Sequence, residues 1–250
     1  NDYVAERFIK GNQEKKVEKV NKFTPPKFDH SPLKKLKKVS QLQHNHPIKR
    51  YIINRSIPAD QHYRLYYAKE FMTWVNTVLP NKFTNVDRDE PRLVMPFLDE
   101  NKKLFGVSAR GFNPKSPRYL TIMFDERPKI FGLDVVNFDE PYYVVEGAID
   151  SLFVENAVAM AGADGSTKGL ENVENAVFVF DAEPRNKEIH KRMERVIQQG
   201  NKICIWPSNV PGKDINEMIL NGVDDVQKIM EDCTYQGLQA KLKLTEWRKT

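Results

Sequence analysis

Between residues 47 and 78, apolar side chains recur at the spacing of a helix, beginning with Ile48 and Ile52. The segment Ser56-Ile57-Pro58 interrupts this pattern, because proline restricts the backbone of the residue before it. The pattern therefore predicts two helices, the second running from Tyr66 through Val78.

Two runs rich in β-branched and aromatic residues follow, at residues 92–97 and 104–110. The polar segment at residues 99–102 separates them and has the composition of a turn, so the two runs predict a hairpin. Pro96 lies inside the first run and cannot donate a ladder hydrogen bond. We therefore expect that strand to be an edge strand or to carry a bulge.

After about Asp139, short apolar runs alternate with amphipathic segments. The amphipathic segments predict helices at residues 148–156 and 187–199. Alternation of this kind is typical of a mainly parallel sheet with helices on its faces, and the predicted fold class is α/β. The predicted strands are, in order, Tyr142–Val145, Val158–Met160, Val177–Phe180 and Lys202–Trp206.

These patterns divide the chain into four parts. We predict a charged arm or linker at residues 1–45, a basic subdomain of helices and antiparallel strands at 46–140, a parallel-sheet domain at 141–222 and a helical segment at 223–250. The helical segment contains two amphipathic stretches, which either pack on the core or dock on a partner.

Charge is distributed unevenly along the chain. Residues 1–140 hold 26 Lys and Arg against 17 Asp and Glu, whereas residues 141–250 hold 13 against 17. A basic half beside an acidic half suits an enzyme that holds nucleic-acid phosphates with one part and metal with the other. The run Lys34-Lys35-Leu36-Lys37-Lys38 either contacts phosphate or forms a solvated face.

The chain has only two cysteines, Cys204 and Cys233, which excludes a disulfide scaffold and a cysteine-rich zinc site within it. No apolar run approaches the roughly 20 residues that cross a bilayer, and the first ten residues lack the pattern of a signal peptide. We therefore expect a cytoplasmic protein. Because the sequence begins at Asn1, an upstream module is also an open expectation.

Acidic residues follow three of the four strands predicted for the parallel sheet. Glu146 comes directly after the first strand, Asp181 and Glu183 after the third, and Asp214 in the loop after the fourth. Ligands of open parallel sheets bind at the carboxyl ends of the strands, where these side chains converge. Carboxylates that converge repel one another unless a hard cation such as Mg²⁺ neutralises them. The alternative is that each acid only caps the helix that follows it.

The segments that carry these acids resemble the Toprim signature of primases and topoisomerases: Val144–Asp150, Phe180–Glu183 and Gly212–Asp214. Further upstream, four segments are similar to the basic subdomain of bacterial and tailed-phage replicative primases: Arg92–Asp99, Gly106–Gly111, Pro117–Leu120 and Lys129–Leu133. The resemblance covers residues 47–222, and within the family it is greatest to primases of T-even-like phages. It implies a Toprim fold.

Two features depart from the family pattern. The usual Asp-x-Asp pair stands here as Asp181 and Glu183, which retains two carboxylates. We also expect the zinc-binding domain that normally precedes the core to be absent from these 250 residues, so that this chain would not choose a template start site unaided.

The resemblance implies synthesis of short RNA primers on single-stranded DNA from ribonucleoside triphosphates, with a 3′-hydroxyl attacking the α-phosphate. It implies a site for Mg²⁺, or Mn²⁺ in its place, formed by Glu146, Asp181, Glu183 and Asp214. Glu146 would either share a metal ion or accept the hydroxyl proton. Asp150, one helical turn from Glu146, would orient a water or a basic residue, unless it is a polar position on an exposed helix face.

The resemblance also indicates residues that contact template and incoming nucleotide, because guanidinium and ammonium groups match phosphate and an aromatic ring can stack on a base. These candidates are Arg110, Lys115, Arg118, Tyr119, Lys129 and Lys213.

The partners implied by the resemblance are a single-stranded DNA template, a replicative helicase and a zinc-binding domain supplied from upstream. For a phage protein the compartment is the host cytoplasm. Two other functions stay open: a metal-dependent Toprim nuclease, and a non-catalytic module that binds single-stranded nucleic acid.

Overall fold

The computed structural model describes residues 31–160 and 167–248, and the first 30 residues of the predicted arm lie outside this range. The helices are α1 (Pro47–Asn54), α2 (Phe71–Asn76), α3 (Lys187–Gln198), α4 (Ile215–Leu220), α5 (Val226–Asp232) and α6 (Gly237–Trp247). The strands are β1 (Lys37–Lys38), β2 (Tyr66–Ala68), β3 (Arg92–Leu98), β4 (Leu104–Gly111), β5 (Tyr119–Met123), β6 (Ile130–Phe131), β7 (Tyr142–Val145), β8 (Ala157–Met160), β9 (Ala176–Val179), β10 (Lys202–Cys204) and β11 (Thr234–Tyr235).

The strands form two sheets. The first is antiparallel, with the order β1-β2-β3-β4-β5. The second has the order β11-β10-β9-β7-β8-β6, in which β10, β9, β7 and β8 are parallel and both edge strands are antiparallel. The predicted fold class, a mainly parallel sheet with helices beside an α+β part, is confirmed.

The second sheet is covered on both faces, because alternate residues of β7 pack into two different hydrophobic clusters. Tyr142 and Val144 pack with α3 and α6, whereas Tyr143 and Val145 pack with α1, α4, α5 and residues of the first sheet. Successive side chains of a strand point to opposite faces, so a strand covered on both sides reads as a continuous apolar run. The core shared by the two sheets is what places one against the other.

The division of the chain at residues 45, 140 and 222 stays a proposal. Residues 31–45 contribute β1 and two short 3-10 helices, with Leu33 and Val39 buried. The second sheet also takes β6 from before residue 141 and β11 from after residue 222. The two C-terminal amphipathic stretches correspond to α5 and α6, and Ala240, Leu244 and Trp247 pack into the core.

Two predicted elements were wrong in part. Tyr66–Ala68 is strand β2 rather than the start of a helix, because it pairs with β3. Residues 148–156 contain only a 3-10 turn at Asp150–Phe153, since the connection from β7 to β8 is too short for a regular helix. Tertiary pairing and connection length overrode the local pattern at both places.

Pro96 was expected in an edge strand or in one that carries a bulge, and it lies in an interior strand whose pairing is irregular. However, β2 pairs with β3 only from Val94 to Arg92, so none of the described strands pairs with Pro96 on that side. The register with β4 also shifts between Phe97 and Leu98. The missing N–H is therefore tolerated at a locally open edge, and the expected irregularity lies two residues further on.

No helix within residues 31–160 and 167–248 is long and apolar enough to cross a membrane.

Candidate active site

A cleft of about 860 Å³ is lined by residues of both sheets. From the first sheet and its neighbouring segments it takes Arg110, Arg118, Tyr119 and Lys129, together with residues of α1. From the second it takes the carboxylates and the lysine at the carboxyl ends of the parallel strands: Glu146, Asp150, Asp181, Lys213 and Asp214. The cleft therefore joins an acidic wall to a basic and aromatic wall.

The acidic wall lies where the order of the second sheet reverses. The chain runs from β7 to β8 on one side and then crosses to β9 on the other side of β7. Glu146 follows β7 and Asp181 follows β9, so these two carboxylates flank the point at which open α/β sheets bind ligands.

The loop after β10 completes this wall. Trp206 is buried and donates from Nε1 to the Phe180 carbonyl at 2.7 Å, and Ala182 N–H donates to the Lys213 carbonyl at 2.5 Å. These two hydrogen bonds fix the loop against the end of β9. Gly212, just before Lys213, has a φ of 131°, a conformation that favours glycine.

Asp181 experiences the strongest electrostatic effect in the cleft. Burial, followed by the nearby carboxylates of Glu146, Asp150 and Asp214, raises its pKa to about 8. The raised pKa means that the folded protein favours the protonated carboxyl over the carboxylate. A group of this kind binds a divalent cation favourably, because the cation supplies the opposite charge that the site lacks.

Asp150 is not on an exposed helix face. It lies in the 3-10 turn after β7, and burial together with the Asp214 carboxylate raises its pKa to about 7. The Asn216 backbone N–H donates to Asp150 Oδ1 at 3.0 Å. The Asp150 carboxylate also lies directly over Gly147, where any larger residue would meet it.

The remaining acids differ in how they are held. Asp214 caps α4 by accepting from Glu217 N–H at 2.7 Å, so the capping alternative holds for this residue even as it lines the cleft. Asp181 caps none of the helices that the structure describes, and the helix that follows it, α3, is capped by Asn186. Glu146 accepts from Arg192 Nη1 at 3.4 Å, and burial raises its pKa.

Glu183 lies outside the cleft lining. Its Oε2 accepts from Asn186 Nδ2 at 2.7 Å, although it remains close enough to raise the pKa of Glu146. Glu183, which stands where the family has the second Asp, thus forms a hydrogen bond with Asn186, the N-cap residue of α3. Its predicted metal-binding role stays a prediction.

Within residues 31–160 and 167–248, no group of three or more His, Cys, Asp or Glu is arranged as a ready-made metal site. Magnesium is usually held by one or two carboxylates together with substrate phosphates and waters, so a dedicated protein cage is not required. Asp181 fits such a metal best, with Glu146 and Asp214 on the same wall.

Arg110 is the organising residue of the basic wall. Its guanidinium lies 4.8 Å from the ring centroid of Tyr51 and 5.2 Å from that of Tyr119, and Nη1 donates to the Tyr119 hydroxyl at 2.6 Å. A guanidinium held between two rings loses little further entropy on binding phosphate. Three further candidates from the sequence, Arg118, Lys129 and Lys213, also line the cleft, whereas exposed Lys115 does not.

Sequence reasoning missed the residues that α1 brings to the cleft, namely Tyr51, Asn54 and Arg55. The helical pattern located α1 but contained no sign of what it packs against. Asn216 was also missed, although it lies two residues after Asp214, which was a candidate.

Asn216 connects α1 to the acidic wall and is 1% exposed. Its Oδ1 accepts from Arg55 Nη1 at 2.5 Å, and its Nδ2 donates to the Arg55 carbonyl at 2.7 Å. Its backbone N–H holds Asp150, as described above. Because α4 begins one residue earlier, this set of hydrogen bonds also fixes the orientation of Asp214.

We expect Asn216→Ala to lower the turnover of any reaction in this cleft by about 100-fold, because small displacements of reacting groups have effects of that size. The matched control is Asn76→Ala. Like Asn216, Asn76 makes two side-chain hydrogen bonds to one residue, here the backbone of Phe83 at 2.8 and 2.9 Å, and it lies away from the cleft. The melting temperature and kcat of each variant are measured, and we expect both variants to be less stable but only Asn216→Ala to lose kcat. Equal loss of kcat in both would contradict a positioning role for Asn216.

The raised pKa values of Asp181 and Asp150 predict a dependence of stability on pH. Both folded-state values exceed the unfolded value near 3.8, so the folded chain binds more protons between about pH 4 and pH 8. Stability should therefore fall as pH rises through this window in metal-free buffer. Melting temperatures at pH 5 and pH 8.5 should differ less in Asp181→Asn than in the parent. An unchanged difference would show that Asp181 is not desolvated.

No protein-family model matches the chain. A search of curated proteins finds the DNA primase of Enterobacteria phage T4, 31% identical over 217 residues, which covers 85% of this chain and 63% of that primase. The chain thus spans less than two thirds of the length of this relative.

Solved structures of bacterial primases share the fold at low sequence identity. A DnaG primase catalytic domain bound to single-stranded DNA matches with a TM-score of 0.62 at 14% identity, covering 84% of this chain and 78% of that one. A primase domain from Pseudomonas aeruginosa matches with a TM-score of 0.60 at 16% identity, over 81% and 77%. The catalytic core of the E. coli primase matches with a TM-score of 0.57 at 16% identity, over 81% and 78%.

The resemblance to Toprim-type primases inferred from the sequence is confirmed: the chain is homologous to the DNA primase of Enterobacteria phage T4 and has the fold of bacterial primase catalytic cores.

Proposed function

We propose that this chain is the catalytic core of a DNA primase, which synthesises short RNA primers on single-stranded DNA by metal-dependent nucleotidyl transfer. The observation that carries the proposal is that one cleft unites Asp181, Glu146 and Asp214 with Arg110, Arg118 and Lys129. Homology to a DNA primase and the shared fold support the same assignment.

In the proposed reaction, the 3′-hydroxyl oxygen of the growing primer forms a bond to the α-phosphorus of a ribonucleoside triphosphate, and pyrophosphate leaves. Bound Mg²⁺ or Mn²⁺ would neutralise the charge that develops on the phosphate oxygens. Asp181 and Asp214 would hold it, with Glu146 and Glu183 as further ligands. Glu146, whose pKa is raised by burial, is alternatively placed to accept the proton of the 3′-hydroxyl.

The basic wall positions the nucleic-acid and nucleotide phosphates. Arg110, held between Tyr51 and Tyr119, is preorganised for a phosphate of the incoming nucleotide, and Arg118 lines the same wall. Tyr119 is 45% exposed, which leaves its ring free to stack on a base. Lys129 and Lys213 add positive charge at the cleft, which lowers the electrostatic cost of bringing two polyanions together.

In the proposed reaction, Asp150 does not contact the substrate but positions a neighbouring residue. It is held by Asn216 and lies near Arg55, so it would help to orient that guanidinium at the cleft. Single-stranded DNA is the proposed template, and a replicative helicase is the proposed partner in the cytoplasm of the host. An upstream zinc-binding domain would select the start site on the template.

The experiment that tests the proposal is incorporation of labelled ribonucleotides on excess single-stranded DNA, with products resolved by size. We expect short template-dependent oligoribonucleotides with Mg²⁺ or Mn²⁺ and none with chelator. Glu146→Gln should lower their yield strongly, whereas Glu155→Gln, an exposed residue outside the cleft, should not.

Other results would support the two remaining functions. Cleavage of the DNA without synthesis would indicate a nuclease. Retention of DNA in chelator, with neither synthesis nor cleavage even when helicase and a zinc-binding domain are supplied, would indicate a binding module.

A further inference from the structure

The structure contains a second pocket, of about 510 Å³, on the opposite face of the first sheet from the cleft. We call it the rear pocket. Along β3, Met95 lines the cleft whereas its neighbour Pro96 lines the rear pocket. Because successive strand residues point to opposite faces, the two pockets lie on opposite sides of the sheet. The volume is within the range of small-molecule sites in proteins.

Positive charge dominates the lining of the rear pocket. Among the residues that the structure describes, this lining holds four cationic side chains, Lys34, Lys38, Arg64 and Lys102, and one carboxylate, Asp134. Two of these lysines come from the run at residues 34–38, whose role the sequence left open between phosphate contact and a solvated face. Convergence of these charges on one concave surface favours an anionic ligand.

Flat apolar surfaces lie beside these charges. Tyr63 is 48% exposed, and Lys38 Nζ lies 5.8 Å from its ring centroid. The Arg64 guanidinium lies 4.7 Å from the centroid of Phe131, and its Nη1 donates to Gln61 Oε1 at 3.0 Å. Arg64 is therefore held in place before any ligand arrives, while the exposed face of Tyr63 is available to stack on a planar ring.

Asp134 indicates which kind of anion fits. It is partly buried in the same lining, and burial raises its pKa even though Arg64 and Lys102 oppose the shift. A continuous nucleic-acid backbone would be repelled by this carboxylate. A ligand with phosphate at one end and hydroxyl or amino donors at the other would satisfy both the cations and Asp134.

We propose that the rear pocket binds a mononucleotide, with its phosphates on Lys34, Lys38, Arg64 and Lys102, its base against Tyr63 and its sugar or base donors on Asp134. This site is separate from the cleft and lies outside the proposed reaction. A nucleotide bound there would act as an effector rather than as a substrate.

Calorimetric titration of the chain with ATP and Mg²⁺ tests the proposal. We expect two bound ATP molecules per chain, one in the cleft and one in the rear pocket. The double variant Lys34→Gln with Lys38→Gln should lower the affinity of one of the two sites at least about tenfold, a loss of about 1.4 kcal/mol, because two charged contacts to phosphate are removed. Tyr63→Ala should weaken the same site, and Tyr63→Phe should not.

The matched control is the double variant Lys35→Gln with Lys37→Gln, which removes the same charge from the same run at residues outside the pocket lining. Equal weakening by both double variants would overturn the proposal in favour of general electrostatic attraction. Unchanged ATP binding in the variant that carries Lys34→Gln and Lys38→Gln would also overturn the proposal. If that variant lost binding to oligo(dT) but kept its binding to ATP, the surface would be a nucleic-acid site instead. If the cleft does not bind nucleotide, the titration should show one bound ATP, in the rear pocket. The variant with Lys34→Gln and Lys38→Gln should then lose that binding.

Discussion

Asp181→Ala should reduce ribonucleotide incorporation by on the order of 1,000-fold or more while leaving the fold intact. Asp181 flanks the point where the sheet order reverses, and it is surrounded by other carboxylates that raise its pKa to about 8. Its loss removes the group best suited to a divalent cation. Because the folded state no longer holds a desolvated acid there, the melting temperature at pH 8 should rise or stay the same.

Incorporation assays, with circular dichroism and thermal melts, measure these effects. Asp225→Ala is the matched control, because Asp225 caps α5 by accepting from Lys228 N–H at 2.8 Å, away from the cleft. This control should lower the melting temperature without affecting turnover. If Asp181→Ala retained more than a tenth of parental turnover, Asp181 would not be a metal ligand.

Arg110→Ala should lower kcat/KM for the incoming ribonucleotide by about 10- to 100-fold, the loss expected for a hydrogen bond to a charged group. The guanidinium lies between Tyr51 and Tyr119 in the cleft, and the stacked geometry cannot be reproduced by a flexible ammonium group. Arg110→Lys should therefore recover only part of the loss.

Lys115→Ala provides the comparison, because both residues were candidates from the sequence and only Arg110 lines the cleft. Removal of this exposed lysine should change kcat/KM by no more than about twofold, as is usual for surface charges. Steady-state kinetics at fixed salt compare the three variants. An equal loss in Lys115→Ala and Arg110→Ala would mean that the basic residues act through overall charge and not through the geometry of the cleft.

The departure at Glu183 has a structural explanation that sequence reasoning did not contain. Counting carboxylates predicted that a second acid after β9 would preserve the metal site. In the structure, Glu183 accepts a hydrogen bond from Asn186 and lies outside the cleft lining, although its charge still raises the pKa of Asp181 and of Glu146. The hydrogen bond to Asn186 depends on the length of the glutamate side chain, which a count of carboxylates does not describe, and the role of Glu183 as a metal ligand stays a prediction.

The sequence by itself determined the parallel sheet and the acids at its edge. Each parallel strand is covered on both faces and therefore reads as an unbroken apolar run, and the residue after the run must lie at the carboxyl end. Glu146 and Asp181 were found in this way, since each lies within two residues of the end of its strand, whereas Asp214 lies ten residues after β10 and reaches the wall through the hydrogen-bonded loop. These are local properties, and local periodicity reports them directly.

Only the tertiary structure decided which residues face these acids. Tyr51 and Arg55 reach the cleft because α1 packs on the core shared by the two sheets, and Asn216 connects the two through hydrogen bonds to a residue 161 positions away in the chain. The same packing leaves Lys115 outside the cleft and opens the rear pocket beside Pro96. The periodicity of one element shows which of its faces is apolar. It carries no information about the element that packs there, because that contact depends on the shape and charge of both surfaces together.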